Sequence, residues 1–552
     1  MWQTFPPPSV PLFTPSRSVL MLNRRNMIKQ GAHLAAASFC ATQSWSGTAF
    51  ATASNSSVSS QTGPVPRTGG HVRAASTTGS LSDTLDPARQ SMATDYMRGN
   101  MFYDGLVTLD ETLTPRPALA ESLESTDFKT WHIRLRSGVC FHDGAPLTSA
   151  DVVYSILRHK DPTVGSQVHY QAMAMRTIRA DGPLDVIIEL DTANITFPSV
   201  LGLTNFAIIR EGTTQFDKAN GTGPFTCAAF QPGVRSLALR NANFWNPGGV
   251  WVDSLELISI SDDMARHNAL LSGDVDIIAA VDPRLVALVR KRGLAVMESP
   301  TGTYTNLAIR QDVGPGRNAD FIRAMKLLFN REQMRDSIYL GYCRMGNDQP
   351  LPPEHRDFNT HLPQTRYDPE QAKFLLRRSG YLNQSLPPLI CSPAANGSVE
   401  MAVLLQNDAR RIGLQLDVRR MPADGYWSQS WMRFPMGFGN VNPRASADMT
   451  FALSFASTAP WNESHWRNAQ FDQLLVLSRS EPDEAKRRAL YNDMQTLIHT
   501  DAGIAIPTFI TSLDGYHPRI RGLRPRQGGQ LMGYNFARSI WVDETDTAGG
   551  QP

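Results

Sequence analysis

Between Thr130 and His159 the spacing of apolar residues changes from every second position to every third or fourth. In TWHIRLR, Trp131, Ile133 and Leu135 alternate with His132, Arg134 and Arg136, the period of a strand with one buried face. In DGAPLTSADVVYSILRH, which follows, Thr148 and Asp151 have the spacing of a capping box, and Val152, Val153 and Ile156 form a helical stripe. A chain that changes period this way has to lay a helix against a sheet. The same grammar recurs further on. DVIIELD (185–191), SLALRNA (236–242) and LELISI (255–260) read as strands, and NADFIRAMKLLFNREQMRDSIY (318–339) reads as an amphipathic helical stretch. YDPEQAKFLLRRSGY (367–381) has Asp368 as a cap, Pro369 at the first helical position and Gly380 near the end. VEMAVLLQNDARRIGLQLDVRRM (399–421) reads as a helix, a stop at Gly413 and a strand. EPDEAKRRALYNDMQTLIHTD (481–501) reads as a long helix, and GIAIPTFIT (503–511) as a buried strand. The fold class expected is therefore α/β. The 552 residues leave room for several domains or lobes.

The net charge of +2 is unevenly placed. Arg17, Arg24, Arg25 and Lys29 stand in the first 51 residues without an acid, so the remainder carries −2. A near-neutral body lacks the basic face that nucleic acid requires, so nucleic acid is not expected as a partner. The same segment reads as an export signal. Arg24 and Arg25 form a basic region, Gly31–Ala41 a short apolar one, and Ala49-Phe50-Ala51 and Ala51-Thr52-Ala53 are A-x-A cleavage sites. The arginine pair followed by Lys29 resembles a twin-arginine signal, the alternative being an ordinary secretory signal. Met21 fits as the true start, and lipidation at Cys40 is disfavoured by Phe39 before it. Residues 52–68, rich in Ser, Thr, Gly and Pro, read as a flexible leader. Cys140, Cys227, Cys343 and Cys391 have no paired spacing and read as buried free thiols, with one disulfide possible in an oxidising compartment.

No catalytic constellation emerges. GxxxxGK[ST], GxSxG, HExxH and paired-cysteine patterns are missing. GTGPF (221–225) reads as a tight turn into a strand, His142-Asp143 as part of a turn with Gly144, and Asp262-Asp263 as a solvated face or turn. A binding role is expected, with no catalytic residue, metal or cofactor. Aromatic residues carry the positive signal. Tyr426, Trp427, Trp431, Phe434 and Phe438 crowd one stretch, and Trp461 and Trp466 stand beside Asn462, Glu463 and Arg467 in another. A small-solute pocket needs apolar walls with a few polar anchors. Trp427, Trp431 and Trp461 are the candidate walls, the other rings filling the core, and Asn462 and Glu463 are candidate anchors.

TWHIRLRSGVCFHDGAPLTSADVVYSILR, the GTGPF turn, NFW (243–245), RHNALLSGDVDII (266–278) and YDPEQAKFLLRRSGY occur in an order that resembles the family 5 extracellular solute-binding proteins of ABC importers, the dipeptide, oligopeptide and nickel-binding group. The resemblance spans roughly residues 70–535. It implies a bilobal periplasmic binding protein, type II and cluster C-like, with an extra subdomain in the first lobe. By analogy lobe I covers 69–100, 205–295 and 506–540, the subdomain 101–204, and lobe II 296–505, before a tail at 541–552. It further implies a monomer that closes on a short peptide or peptide-like solute and docks on an inner-membrane permease, the ATPase being a separate protein. Dipeptide-binding relatives hold the ligand amine with an aspartate. The matching stretch here, LSFASTAPWNESHW, has Glu463 as its nearest acid, so Glu463 replaces that anchor or the ligand has no ammonium. Arg444 is the candidate carboxylate clamp, the alternative being an ion pair at the surface or between lobes. Arg323, in a family-like helix position, reads as structural. An opine, a nickel chelate, glutathione or an oligosaccharide are alternative solutes. A secreted α/β hydrolase, or a chaperone or signalling receptor on the same fold, are alternative roles.

Overall fold

Two strands, Ala295–Ile309 and Ile504–Tyr516, pair antiparallel over most of their length and tie the molecule together. The computed structural model describes residues 65–544. The export signal with Arg24-Arg25, the start at Met21, Cys40, and most of the leader and tail lie outside the described residues. Through the two long strands one eleven-stranded sheet extends in both directions. On the first-lobe side follow Ile277–Ile278, His71–Ser76, Ser254–Ser259, Arg235–Arg240 and Phe225–Gln231. On the second-lobe side follow Met436–Val441, Leu389–Cys391 and Val418–Arg420, while Cys343–Met345 adds to the 504–516 strand.

Parallel pairs occur where a helix makes the return, as parallel geometry demands. Helix Asp263–Ser272 lies between the Ser254–Ser259 and Ile277–Ile278 strands, both of which pair parallel with His71–Ser76. Helix Ser398–Arg411 links Leu389–Cys391 to its parallel neighbour Val418–Arg420, and Gly413 after it has φ +91°. The Pro369–Ser379 helix starts under the Asp368 cap and stops at Gly380. The 318–339 stretch is two helices, Ala319–Leu327 and Arg331–Ser337. The Asn330 side chain accepts from the Gln333 amide and so starts the second. Arg331 then turns inward onto Asp348, with two 2.8 Å hydrogen bonds between buried groups, whereas Arg323 is exposed.

The strand that opened the sequence argument belongs to a separate four-stranded antiparallel sheet, ordered Ala120–Glu124, Thr130–Leu135, Asp185–Leu190, Met175–Ala180. Trp131, Ile133 and Leu135 are buried while His132 and Arg134 are exposed. The Thr148/Asp151 capping box is formed, and helix Ser149–Arg158 buries Val152 and Ile156 in the same apolar cluster. The first lobe has its own core of Val72, Met97, Phe102, Phe225, Leu257 and Phe536. The second lobe has two, one around Phe321, Leu376, Leu389 and Phe438 and one around Tyr304, Phe451, Tyr491 and Ile506.

The Ala295–Ile309 strand escapes a periodic reading because Pro300 and Gly302 interrupt it. Residues 295–300 pair with 516–511 and residues 303–308 with 510–504, with a break in register between Pro300 and Thr303. The two long strands thus run on through this break in their pairing. Gly302 is left-handed at φ +77°, and a Cβ there would stand 2.9 Å from Pro352 Cγ and 3.5 Å from Pro443 Cβ. Only glycine meets both demands.

In GTGPF, Gly221 and Gly223 lie so close to the Phe102 backbone that a Cβ at either would overlap it, and His142 Nε2 lies 3.0 Å from the Gly223 carbonyl. Asp262, the first of the acid pair, caps helix Asp263–Ser272 by accepting from the Ala265 amide. Cys343 and Cys391 are buried, Cys140 and Cys227 are partly exposed, and all four are free thiols. Among the described residues no helix is long and apolar enough to cross a membrane.

Candidate functional site: the cleft between the lobes

A cavity of about 1040 Å³ lies beside the register break, walled by both lobes and the subdomain. Its second-lobe wall is the turn that joins strand Met436–Val441 to helix Ala447–Ser454, followed by the loop after that helix. Ser446 caps the helix by accepting from the Met449 amide, which fixes the 442–445 turn and with it Arg444. The Arg444 guanidinium stands 5.0 Å from the Trp461 ring centre. Its Nε is buried without a hydrogen-bond partner. Burial pulls its pKa below the usual guanidinium range, against a smaller opposing effect of the Tyr96, Tyr304 and Tyr534 phenols. An arginine nonetheless stays protonated. It is a fixed positive charge facing a cavity.

The first-lobe wall comes from two distant parts of the chain. Tyr96 and Asn100 project from helix Ala93–Phe102, and Tyr534 meets Tyr96 with ring centres 5.6 Å apart. Asn100 donates to the Tyr534 carbonyl at 3.1 Å. Leu531, Met532 and Tyr534 all have positive φ, a conformation that costs non-glycine residues about 1–2 kcal/mol each. Asp514 holds this turn, accepting from the Leu531 amide at 2.8 Å and the Ala280 amide at 3.3 Å. Burial pushes the Asp514 pKa up to about 7 against the effect of those amides. Arg526, Gln527 and Gly528 complete this wall, and the subdomain supplies Leu109, Leu113, Phe197 and Val200.

The lobes touch around the cavity. Ala445 and Met449 share an apolar cluster with Phe197, Val200 and Leu201 of the subdomain. The Ile195 amide donates to the Arg479 carbonyl at 2.9 Å, and Gln527 donates to the Glu354 carbonyl at 3.2 Å.

Of the candidate residues, the cavity is lined by Arg444 and Trp461. The others sit behind them. Trp431 packs edge-to-face on Trp461 at 5.9 Å, and Trp427 on Trp431 at 5.7 Å. Trp427 is 42% exposed and stands outside the cavity. The Glu463 carboxylate is inside the second lobe, accepting from the Trp431 indole and, at 2.5 Å, from Asn306. It lies so close over Gly439 that a Cβ there would overlap it. Burial raises its pKa while these two donors lower it. Both oxygens are engaged inside the lobe, and Glu463, expected as a possible amine anchor, is not among the residues that line the cavity. Asn462 is also internal. Its amide donates to the Trp466 carbonyl at 2.6 Å and accepts from the Trp466 amide at 3.1 Å, closing the 456–466 loop. Tyr96, Asn100, Arg526 and Tyr534 carried no sequence signal, because nothing local marks residues that converge from opposite ends of a chain.

Two α/β lobes, two long shared strands and a cavity of about 1040 Å³ between them define a solute-binding receptor scaffold. The chain belongs to the bacterial extracellular solute-binding proteins, family 5, whose model (family 5 Middle) matches residues 114–463. It is 23% identical over 443 residues to the glutathione-binding protein GsiB of Pectobacterium atrosepticum, covering 77% of this chain and 86% of that one. It is 25% identical over 472 residues to heme-binding protein A of Haemophilus influenzae, covering 76% and 84%. Among solved structures, the periplasmic binding protein DppA of Helicobacter pylori, in complex with the peptide STSA, superposes with a TM-score of 0.76 at 22% identity, covering 87% of this chain and 99% of that one.

Proposed function

We propose that the protein is the periplasmic receptor of an ABC importer, capturing a short peptide or peptide-like solute between its lobes and delivering it to an inner-membrane permease. The observation that carries this is the cavity itself, with Arg444 and Trp461 from one lobe facing Tyr96 and Tyr534 from the other. Contacts to both walls exist together only when the lobes are closed, so a solute that makes them shifts the hinge toward closure. Arg444 is the anion-binding residue, since a guanidinium grips two carboxylate oxygens at once. Trp461 forms the apolar floor beside it. Trp431, Asn462 and Glu463 act from behind, by keeping Trp461 and its loop in place. The receptor works as a monomer, performs no bond chemistry on its solute, and reaches the periplasm by the twin-arginine route marked by Arg24-Arg25. The differing ligands named for its relatives keep a non-peptide solute such as glutathione or an opine as the second reading.

The test is a thermal-shift screen of the mature chain with di- and tripeptides, glutathione and opines, paired with small-angle scattering. A true solute at one hundred times its Kd adds about 2.7 kcal/mol of stability and shrinks the radius of gyration. Peptide hits establish the first reading, and hits confined to glutathione or opines the second. A stabilising compound that is consumed on incubation refutes the receptor reading.

A further inference from the structure

Besides three tyrosines, the ionisable residues lining the cavity are His169, Asp191, Arg444, Asp448, Arg479 and Arg526. Their partners divide them sharply. Asp448 and Arg479 neutralise each other through a 2.6 Å hydrogen bond from Nε and a second at 3.3 Å from Nη2. Asp191 is exposed and lies 3.5 Å from Arg176. His169 Nδ1 is 3.0 Å from the His159 carbonyl. Two guanidinium groups remain. Arg444 has its unpartnered Nε and a tryptophan beneath it. Arg526 is only partly exposed, and the two acids whose charge reaches it, Glu111 and Asp110, are already paired with Arg524 and Arg116. Among the described residues no ion pair or hydrogen bond engages either head group. Unpaired cations held away from bulk water are costly, and two in one cavity are more so.

We infer that the solute carries two acidic groups, one received by Arg444 and the other by Arg526, and that it needs no ammonium group. This rests on the receptor reading above and names its solute class. The acid expected to hold an amine, Glu463, is buried behind Trp431 with both oxygens engaged. The acids that do line the cavity are balanced by arginines of their own. The two free guanidiniums come from opposite walls, Arg444 from the second lobe and Arg526 from the returning C-terminal segment of the first. Closing the empty cleft brings like charges toward one enclosed space, and a doubly acidic solute reverses the sign of that contribution. Closure is thereby tied to the charge of the occupant as well as to its shape.

The experiment separates a low-molecular-weight extract of the producing cells at pH 7 on anion and cation exchangers and measures the thermal shift of the mature chain with each fraction. The stabilising activity is expected in the fraction retained by the anion exchanger. With that fraction as probe, Arg444→Gln and Arg526→Gln are each expected to weaken apparent affinity by about tenfold or more. Circular dichroism and scattering verify that both variants fold. Activity in the unretained or cation-exchanger fraction overturns the inference and leaves the receptor reading standing. Activity in the anionic fraction that ignores either substitution overturns the two-point contact. If no fraction stabilises the protein, the receptor reading fails and the inference falls with it.

Discussion

Asp514 shows how a single buried group sets a pH response. Its carboxyl is enclosed, holds the left-handed turn that presents Tyr534, and titrates near pH 7 in place of its ordinary 3.8. A folded-state pKa above the unfolded value means that the native protein binds the extra proton between the two, so stability falls as pH rises through that window. The shift caps the effect at roughly 4 kcal/mol. The melting-temperature difference between the wild type and Asp514→Asn is therefore expected to shift against the wild type from about pH 4 to about pH 7 and to level off above it. Calorimetry across that range checks this, and a difference that does not change with pH refutes it. At this scale the sequence was legible where chemistry is local. Arg444 and Trp461 stand near one another in the chain, in a stretch dense with aromatic residues. Neighbours in sequence can face opposite ways: Trp461 lines the cavity while Glu463, two residues on, turns into the lobe. Arg526 was invisible because its significance lies in acids already engaged elsewhere, which only the folded chain reveals.

Among the elements, those with their own start and stop signals were readable. The Pro369–Ser379 helix has a cap, a first-turn proline and a terminal glycine, and the Thr130–Leu135 strand has a clean alternation. The 318–339 stretch looked continuous because its apolar stripe persists across Asn330, whose capping bond is what divides it. The Ala295–Ile309 strand was hidden for the opposite reason, since its proline and glycine, which sit at a break in register, imitate a loop. Gly302 is the sharpest test of that element. Gly302→Ala forces a side chain into a left-handed backbone and against Pro352, a cost on the order of 1–3 kcal/mol. Denaturant unfolding is expected to show a loss of that size, and scattering a weaker ligand-induced contraction. An alanine variant with unchanged stability means that the crossing is less constrained than its geometry implies.

Across the whole molecule, several contacts join the two sides of the cavity. One apolar contact joins Ala445 and Met449 to the Phe197–Leu201 side of the subdomain. Met449→Asp places a carboxylate there and is expected to open the ligand-free protein, with a larger radius of gyration in scattering, while Met449→Leu leaves it unchanged. Equal radii for both variants refute that contact as a latch. Bilobal organisation was readable only through motif order, because the lobes interleave along the chain and no boundary is marked by composition. The stacked indoles behind the cavity have a practical consequence. Trp461, Trp431 and Trp427 form a relay of rings less than 6 Å apart, running from beneath the Arg444 charge to an exposed face of the protein. If Arg444 receives the anion proposed for it, drawing that charge away alters the field on the innermost ring, and the ultraviolet emission of these indoles is expected to shift on binding without any attached dye.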